Sequence, residues 1–411
     1  MAERPPHYGN RIAVDQQEGG GSPAVIYPGN GVAVSVLVIA ALFVLAQLYA
    51  AIPLLGPVGI SMGADATFAL STCFSVTYAV GFLMWGPISD RYGRKKVMTA
   101  SIGVLAVATL LCSGASSLPI LAGLRALQGV AASGFAPVAL AYLTEAVAPR
   151  WRARAIGAMS AAFLVAGIFG QVLASTIALR ASWSWFFVAC GVVLAMIFTI
   201  ILFSVVEVPN HTPSMTLLQQ FGNLVGLLFR PEIVLLGIAH ITLLLSFVAL
   251  YTGIGYHLED LHVAASNIIL IRLAALPAMF ISLGVGALAK RIGAIRVAQV
   301  GFGIAAVGML GEAFTDQTIF DVVASSIIYV SGVALSIPSM IMLYGETAAP
   351  HRGSGMAING FVLFVGASIG ALVGKAISGF GTLTLTLVAL LGLAAISLLT
   401  LGAIQRKDSS S

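Results

Sequence analysis

The chain has 411 residues, of which 59% are hydrophobic and 9% charged, with a net charge of +5 and a mean hydropathy of +1.02. An average soluble domain carries about 25% charged residues, so this composition excludes a soluble globular protein. The positive charge does not indicate nucleic-acid binding, because the cations follow a loop-by-loop pattern that a membrane explains better.

Long apolar stretches without Asp, Glu, Lys or Arg run along the whole chain. The ten that are long and apolar enough to cross a bilayer are 19–64, 66–89, 97–124, 126–144, 155–179, 181–206, 233–258, 322–345, 353–374 and 376–405. Two more, 264–288 and 297–311, contain Arg272 or end at Glu312. Because none alternates as a lipid-facing strand must, we predict an all-α membrane protein with about twelve transmembrane helices.

The basic residues predict the orientation. Of the 20 cations, 16 lie near the ends or in every second loop: Arg4, Arg11, Arg91, Arg94, Lys95, Lys96, Arg150, Arg152, Arg154, Arg230, Lys290, Arg291, Arg296, Arg352, Arg406 and Lys407. The alternate loops carry Arg180, and the other three cations fall within spans. The excess of cations on one side predicts that both termini are cytoplasmic.

The two halves of the chain repeat each other. A shift of 200 residues places Gly86, Arg91 and Gly93 on Gly286, Arg291 and Gly293, and a shift of 201 places Glu145 on Glu346. Two six-helix halves with the same membrane orientation form a parallel repeat, which predicts a site between the halves near the membrane midplane.

These boundaries predict a disordered tail over 1–30, a first half over 31–206, a linker over 207–231, a second half over 232–404 and a tail over 405–411. Leu217, Phe221, Leu224 and Leu228 recur at helical spacing, so the linker is either a short surface helix or an ordinary connection.

The loop Gly86-Pro-Ile-Ser-Asp90-Arg91-Tyr-Gly93-Arg94-Lys95-Lys96 resembles the signature of the major facilitator superfamily between its second and third helices. Arg125-Ala-Leu-Gln128-Gly129 resembles the superfamily's fourth-helix motif. The run from Leu121 to Trp185 is most similar to the bacterial arabinose-efflux-permease and drug:proton antiporter branch. The resemblance implies a bacterial inner-membrane transporter.

Gly86, Asp90, Arg91, Gly93 and Arg94 are the predicted gating loop. A short Gly-rich turn lets two helices approach, and Asp90 can contact both a neighbouring helix N-terminus and Arg94 four residues on. The alternative is that the cations only satisfy the orientation rule, which we favour for Lys95 and Lys96. Because Lys290 replaces the acid in the second copy, we expect an asymmetric latch.

Small residues recur every fourth position in the fifth and eleventh spans. They include Gly167, Gly170, Gly366, Gly370 and Gly374. We interpret them as close helix-packing positions. The alternative is the antiporter signature of the resembled family, whose proline is replaced here by Gln171.

Arg125, Arg272 and Lys375 are the cations within spans, where a charge is costly unless it is paired or hydrated. With Gln128 and His240 they are the candidate positions for proton coupling or substrate binding. The resemblance implies proton transfer for Arg125, and pairing with backbone carbonyls is the alternative. Lys375 could snorkel, and His240 could instead make an interhelical hydrogen bond.

Other polar side chains define weaker candidates. We expect cytoplasmic charge contacts from Glu145, Arg150, Glu346 and Arg352. Polar and aromatic positions that line an amphiphilic pocket, or pack against lipid or helices, are Gln47, Tyr49, Tyr78, Gln171, Tyr251 and Tyr329. Cys73, Cys112 and Cys190 lack metal-ligand spacing and predict neither a metal site nor a disulfide.

We therefore predict a monomeric secondary transporter that works by alternating access and couples efflux of a small organic or amphiphilic compound to protons. Its partners are the substrate, protons and the lipid bilayer, without nucleic acid. The sequence contains no phosphate-binding loop or nucleophile triad, so we expect neither a cofactor nor enzymatic activity. The alternatives are uptake or exchange of an organic anion, and a non-transporting receptor on the same scaffold.

Overall fold

The computed structural model describes residues 31–207, 217–260, 265–314, 318–349 and 352–408. The predicted tail over 1–30, most of the loop before residue 217 and the last residues of the 405–411 tail lie outside the described residues.

Twelve helices of the described chain are long and apolar enough to cross a membrane, as the sequence predicts. They are α1 Gly31–Tyr49, α2 Phe68–Tyr92, α3 Arg94–Cys112, α4 Leu118–Ala146, α5 Arg150–Arg180, α6 Trp183–Ser204, α7 Pro231–Leu258, α8 Asn267–Ile292, α9 Ala294–Phe314, α10 Ile319–Thr347, α11 Gly353–Ala376 and α12 Phe380–Gln405. An even number of crossings puts the start of α1 and the end of α12 on one side of the bundle, which we call the terminal side. The all-α prediction is confirmed.

Three of these helices are locally irregular. α2 begins with a π turn, Phe68–Thr72, and α4 breaks between Ser133 and Ala136. Within α8 an α-helical segment ends at Ala274, and a 3₁₀ stretch, Phe280–Gly284, precedes the last α-helical turns. Pro277 lacks a backbone N–H, so the regular hydrogen-bond ladder cannot pass through this part of α8.

Two shorter helices accompany the spans. Ala51–Met62 follows α1 and ends at Gly63, which has a left-handed φ of 69°. Leu217–Leu228 forms in the linker, where the apolar periodicity indicates a helix. It buries Leu224 and Leu227 and packs against α2 of the first half and α11 of the second. The linker therefore contacts both halves.

The packing follows the internal repeat. Within the halves, α5 packs on α1 and α11 packs on α7, which are equivalent pairs. Between the halves, α2 packs on α11 and α5 packs on α8. In the internal repeat α2 corresponds to α8, and α5 corresponds to α11. The two contacts between the halves are therefore equivalent, and we call them the two seams of the interface.

Glycines permit the closest helix contacts. A Cβ atom at Gly170 of α5 would lie 2.8 Å from the Ala46 backbone of α1. At the equivalent Gly370 of α11 it would overlap the carbonyl oxygen of Leu245 in α7. Gly366 and Gly374 meet the same face of α7 one turn away on either side. Gly167 instead faces Phe247 of the second half.

Candidate functional site

The loop between α2 and α3 is fixed by a cluster of charges on the terminal side. Arg94 pairs with Asp90 and donates two hydrogen bonds to the carboxylate of Glu145 on α4, at 2.9 and 3.3 Å. A third bond joins Arg94 Nη1 to the Ser89 hydroxyl at 2.6 Å. These contacts tie α2, α3 and α4 together within the first half.

Glu207 holds the beginning of α3 from the other side. Its carboxylate accepts hydrogen bonds from the backbone N–H groups of Lys95 and Lys96, at 3.0 and 3.2 Å. Free N–H groups at a helix N-terminus favour a negative charge. At the N-terminus of α3 this charge comes from Glu207 and not from Asp90, whose predicted contact with Arg94 is present. Beside it, Tyr142 donates to the carbonyl of Val206 at 3.0 Å.

The second copy of this turn, between α8 and α9, has the same backbone conformation but does not place a described carboxylate like that of Glu207 beside its glycine. Gly93 and Gly293 both have left-handed φ values, of 103° and 88°. A Cβ at Gly93 would touch the Glu207 carboxylate, whereas one at Gly293 would meet no described atom within 4 Å. Lys290 and Ala294 stand at the positions of Asp90 and Arg94, so the second copy cannot form the equivalent ion pair.

Arg125 is almost fully buried, at 1% exposure, inside the first half. Its guanidinium donates to the carbonyl of Leu70 at 2.7 Å, the carbonyl of Gln47 at 2.9 Å and the Gln128 side chain at 2.8 Å. Leu70 belongs to the π turn of α2, a type of irregularity that is frequent at functional positions.

The ring of Phe74 lies 4.3 Å from the guanidinium carbon of Arg125. Gln128 in turn donates to the Thr109 hydroxyl at 2.7 Å. All of these partners are neutral, so the geometry matches the carbonyl-pairing alternative for Arg125. The network links α1, α2, α3 and α4.

A cavity of about 170 Å³ lies between the halves, toward the side opposite the chain termini. One wall is formed by the last turns of α5 and by the helix after α1, through Ile52, Pro53, Leu55, Gly56 and Pro57. The last turns of α7 and the first turns of α8 form the other wall. Its polar lining groups are Ser175, Tyr251, Thr252, Tyr256 and Arg272. The cavity lies between the halves, as the internal repeat predicts, but it lies toward one end of the spans and not near their midplane.

Arg272 lines this cavity and contacts the other half. Its side chain is 4% exposed, and its Nη1 donates to the Ser175 hydroxyl of the other half at 2.7 Å. Tyr251 shares a hydrogen bond of 2.9 Å with Ser326 and lies within electrostatic range of Arg272 and of the fully buried Glu312 on α9. The cavity therefore combines a cation, hydroxyl groups and apolar walls.

Other polar and aromatic contacts join the first half to the second half outside the cavity. Lys375 at the end of α11 pairs with Asp65 of the first half instead of snorkelling alone. The hydroxyls of Ser75 and Ser368 lie 2.7 Å apart across the α2 and α11 seam. One turn further, the rings of Tyr78 and Phe364 are 4.3 Å apart.

His240 is fully buried within the second half. Its Nε2 lies 3.0 Å from the Asn359 amide nitrogen on α11, and its ring contacts Tyr344 at 5.5 Å. This is the interhelical hydrogen bond that the sequence gives as one alternative. His240 does not line the cavity between the halves.

The remaining predicted positions are spread over the molecule. Arg91, Arg150 and Glu346 are exposed, Gly86 is half-buried in α2, and the side chain of Arg352 lies outside the described residues. All six predicted pocket positions are buried, which excludes lipid contact for them: Gln47, Tyr49, Tyr78, Gln171, Tyr251 and Tyr329. Of these six, only Tyr251 lines the cavity.

Sequence reasoning missed Glu207, Asp65 and Ser175. Each lies far along the chain from its partner, and an acid or serine near the end of a span has no spacing that identifies such a partner. A signal was present only for Glu207, as an acid directly after an apolar span and at the first position of the linker.

The amino-acid sequence of this chain is similar to those of known proteins over most of its length. A sequence profile of the Major Facilitator Superfamily matches residues 37–371. An uncharacterised transporter of Buchnera aphidicola subsp. Schizaphis graminum is 26% identical over 308 residues, which cover 74% of each chain. The inner membrane transport protein YnfM of Escherichia coli is 28% identical over 269 residues, 62% of each chain.

A crystal structure of the human organic anion transporter MFSD10 (TETRAN) has the same fold, with a TM-score of 0.68. The two chains are 16% identical, and the match covers 89% of this chain and 98% of the human one. These matches in sequence and in fold agree with the twelve transmembrane helices and the internal repeat described above. The chain is a multi-pass membrane transporter and belongs to the Major Facilitator Superfamily.

Proposed function

We propose that this transporter couples protons to the efflux of a small organic or amphiphilic compound by alternating access. The observation that carries the proposal is the pair of related seams, α2 with α11 and α5 with α8, with the cavity between them. If one half rocks against the other, both seams open on one side of the membrane and close on the other.

The terminal side is cytoplasmic in this proposal, and the membrane is a bacterial inner membrane. The distribution of 16 cations over the ends and alternate loops supports this orientation. The name of the Escherichia coli relative supports the membrane. On this orientation the cavity lies toward the periplasm, and the Asp90, Arg94 and Glu145 cluster lies at the cytoplasmic end.

Buried titratable groups support proton coupling. Glu312 and His240 are both fully buried, and each belongs to a chemical type that carries protons in transporters. Arg125 stays charged at working pH, so its part in coupling is electrostatic and does not include release of a proton. The sequence resemblance to efflux proteins supports the outward direction, despite Gln171 at the position of the signature proline.

Reconstitution tests the proposal. Purified protein in liposomes is given a panel of small organic compounds under an imposed pH gradient, and solute and proton movement are recorded together. We expect solute movement that requires the gradient and a matching counterflow of protons. Solute movement without proton movement contradicts the coupling, and no movement of any compound favours the receptor alternative.

A reversible cross-link between the halves tests alternating access. In a background without native cysteines, Ser75→Cys and Ser368→Cys replace hydroxyls 2.7 Å apart, so oxidation can join the halves. The oxidised protein is expected to lose transport and to regain it on reduction, and each single variant is expected to be insensitive to oxidation. Full transport by the cross-linked protein contradicts rocking at this seam.

Uptake or exchange of an organic anion is the second candidate function. The observation that favours it is Arg272 on the wall of the cavity. The human protein that shares the fold is named as an organic anion transporter, which agrees with this candidate. Exchange that continues without a pH gradient, with anions on both sides, distinguishes it from proton-coupled efflux.

A further inference from the structure

We propose that His240 is a proton-binding group, in a polar site that Asn359 and Tyr344 complete inside the second half. The inference rests on the proposed function and names the residue that carries its proton. Three observations support it: two polar atoms of the site have no partner, the equivalent positions of the first half are apolar, and the site lies directly behind the α2 and α11 seam.

Two buried polar atoms of the site make no hydrogen bond. His240 and Tyr344 are both 0% exposed. An amide nitrogen can only donate, so the 3.0 Å contact with Asn359 makes Nε2 of His240 an acceptor and leaves the imidazole proton on Nδ1. Among the described residues, neither this Nδ1 nor the Tyr344 hydroxyl has a hydrogen-bond partner. The Tyr344 hydroxyl lies beside Gly237, one turn before His240 on the same face of α7.

The internal repeat shows that helix packing does not require these polar groups. The first-half equivalents of the three residues, at shifts of 200 or 201, are Ala40, Met159 and Leu143. These apolar residues are also 0% exposed. One half therefore packs the equivalent helices with apolar side chains, while the other half keeps two unsatisfied polar atoms that lower its stability. A hydrogen bond that served packing alone does not account for this difference.

The surroundings of His240 are uncharged. The main elements packed against α7 are α8, α10, α11, α12, the linker helix and the Ala51–Met62 helix. Of their described side chains, Asn359 of α11 and Tyr344 of α10 contact the imidazole, and no acid or cation does. A buried charge is costly without an opposite charge beside it, so the imidazole is neutral in the state that the structure shows.

Asn359 is a positioning residue that can serve both protonation states of the imidazole. Its amide nitrogen donates to Nε2 while the imidazole is neutral. When a proton adds to Nε2, rotation of the amide by about 180° presents its oxygen as an acceptor. His240 can therefore take up and release a proton at Nε2 without losing its partner, whereas a carboxylate partner would hold the proton.

The site lies directly behind the α2 and α11 seam. Asn359 is 6% exposed, and the next residue, Gly360, packs against the ring of Phe82 from the first half. A Cβ at Gly360 would overlap this ring, so the two helices are in close contact here. When the halves rock and the seam parts, Phe82 leaves Gly360 and water can reach Asn359 and His240.

Histidine NMR tests proton binding without transport. The full-length chain is isotope-labelled at its histidine rings and purified in detergent, and the signal that His240→Gln removes is assigned to His240. We expect this signal to change from the neutral to the protonated form as the pH falls from about 8 to about 5. A signal that stays in the neutral form over this range overturns the proposal.

Substitutions of Asn359 separate a proton site from a structural contact. Asn359→Asp places a carboxylate beside the imidazole and should extend its protonated form to higher pH by about 1–3 pH units. Asn359→Met removes the polar partner, which disfavours the charged form more than the neutral form, and should confine protonation to lower pH. The pH profile of transport should move with the NMR titration in both variants. A profile that does not follow the titration overturns the proposal.

The residues of the first half provide a matched control. A triple variant with His240→Ala, Asn359→Met and Tyr344→Leu should unfold close to the parental temperature, because the equivalent helices pack with these side chains. In liposomes it should move solute down its gradient without coupled proton movement. His257→Gln, at the other end of α7, should retain the coupling. Retained coupling in the triple variant overturns the proposal, and if this variant does not fold, the two Asn359 variants decide.

The titration needs neither substrate nor gradient, so its outcome is separate from that of the proposed function. Titration of His240 with the expected shifts, but without coupled proton movement in the parent protein, supports the proton site and contradicts the proposed coupling. Proton-coupled transport by the parent protein, without titration of His240, supports the proposed function and overturns the site.

Discussion

Asp65 and Lys375 form an ion pair that joins the two halves on the side opposite the chain termini. Asp65 lies between the Ala51–Met62 helix and α2, and Lys375 lies at the end of α11. The contact can exist only while the halves are close on this side. It is therefore positioned to stabilise the state that the structure shows.

The first prediction is that Asp65→Asn favours opening of this side, with an effect that does not vary between pH 5 and 8. Burial raises the pKa of the Asp65 carboxyl, but hydrogen bonds from Lys375 and Thr67 and the charge of Lys375 outweigh it, so the pKa lies below its ordinary value of 3.8. A depressed pKa means that the contribution is complete above the ordinary value and is lost as pH falls through the lower one.

Ala178 lines the cavity on this side, so Ala178→Cys in a chain without native cysteines reports its opening. Exposed ion pairs contribute about 0.2–1 kcal/mol, so labelling of this thiol by N-ethylmaleimide should accelerate about 1.5- to 5-fold. Lys375→Gln should have the same effect, and the double variant should add nothing further. Exchange of the two charges, Asp65→Lys with Lys375→Asp, should restore the slow rate. Additive single effects, or an effect that changes between pH 5 and 8, would contradict the pairing.

The second prediction uses the two turns of the repeat as mutual controls. Gly93→Ala and Gly293→Ala both introduce a side chain at positive φ, which costs about 1–2 kcal/mol. Only at Gly93 does the new Cβ also meet the Glu207 carboxylate, 2.9 Å from Oε2. Thermal unfolding should therefore show a larger loss of stability for Gly93→Ala.

Glu207→Ala should by itself cost about 1–2 kcal/mol, because the N–H groups of Lys95 and Lys96 lose a charged acceptor. In that background the two glycine variants should become equivalent. If Gly93→Ala stays more destabilising there, the difference between the turns does not arise from Glu207.

The third prediction is that Arg125→Lys destabilises the first half by about 2–4 kcal/mol although it keeps the charge. One ammonium group cannot reach the carbonyls of Leu70 and Gln47 and the Gln128 amide together, as the guanidinium does. Arg180→Lys, at an exposed position, is the control for the substitution itself. Thermal unfolding and transport are measured on the same preparations.

Loss of transport with unchanged stability in Arg125→Lys would support a direct part in coupling over the structural alternative. Loss of stability with normal transport per folded molecule would support the structural alternative.

The fourth prediction separates packing glycines from tolerant ones. Gly370→Ala should weaken the α7 and α11 contact by about 1–3 kcal/mol, because its Cβ would overlap the Leu245 carbonyl oxygen. Gly392→Ala in α12, where a Cβ meets no described atom within 4 Å, should be neutral or stabilising by up to about 1 kcal/mol. Unfolding in detergent measures both, and equal effects would show that Gly370 does not set the contact distance.

The fold was predictable because it depends on local composition. Helical runs must satisfy their own backbone in lipid, so length and apolarity alone specify twelve spans. The repeat of Gly93 in Gly293, and of Gly170 in Gly370, could be found by alignment of the chain with itself, and the structure gives each pair the same backbone role. The pairing of Asp90 with Arg94 was accessible for a related reason, since positions four apart on one turn are neighbours.

Contacts between distant segments needed the tertiary structure. The partners of Arg125 include two backbone carbonyls, and a carbonyl is present at every residue, so the sequence cannot indicate which one a buried guanidinium reaches. The sequence also does not indicate that Glu207 contacts the N-terminus of α3. Nor does it indicate that Asp65 pairs with Lys375, because these two residues lie 310 positions apart in the chain. The sequence by itself determined that Arg272 lies within a membrane span; only the packing of α5 against α8 decided that it lies beside Ser175 on the wall of a cavity, because that depends on how two separate halves meet.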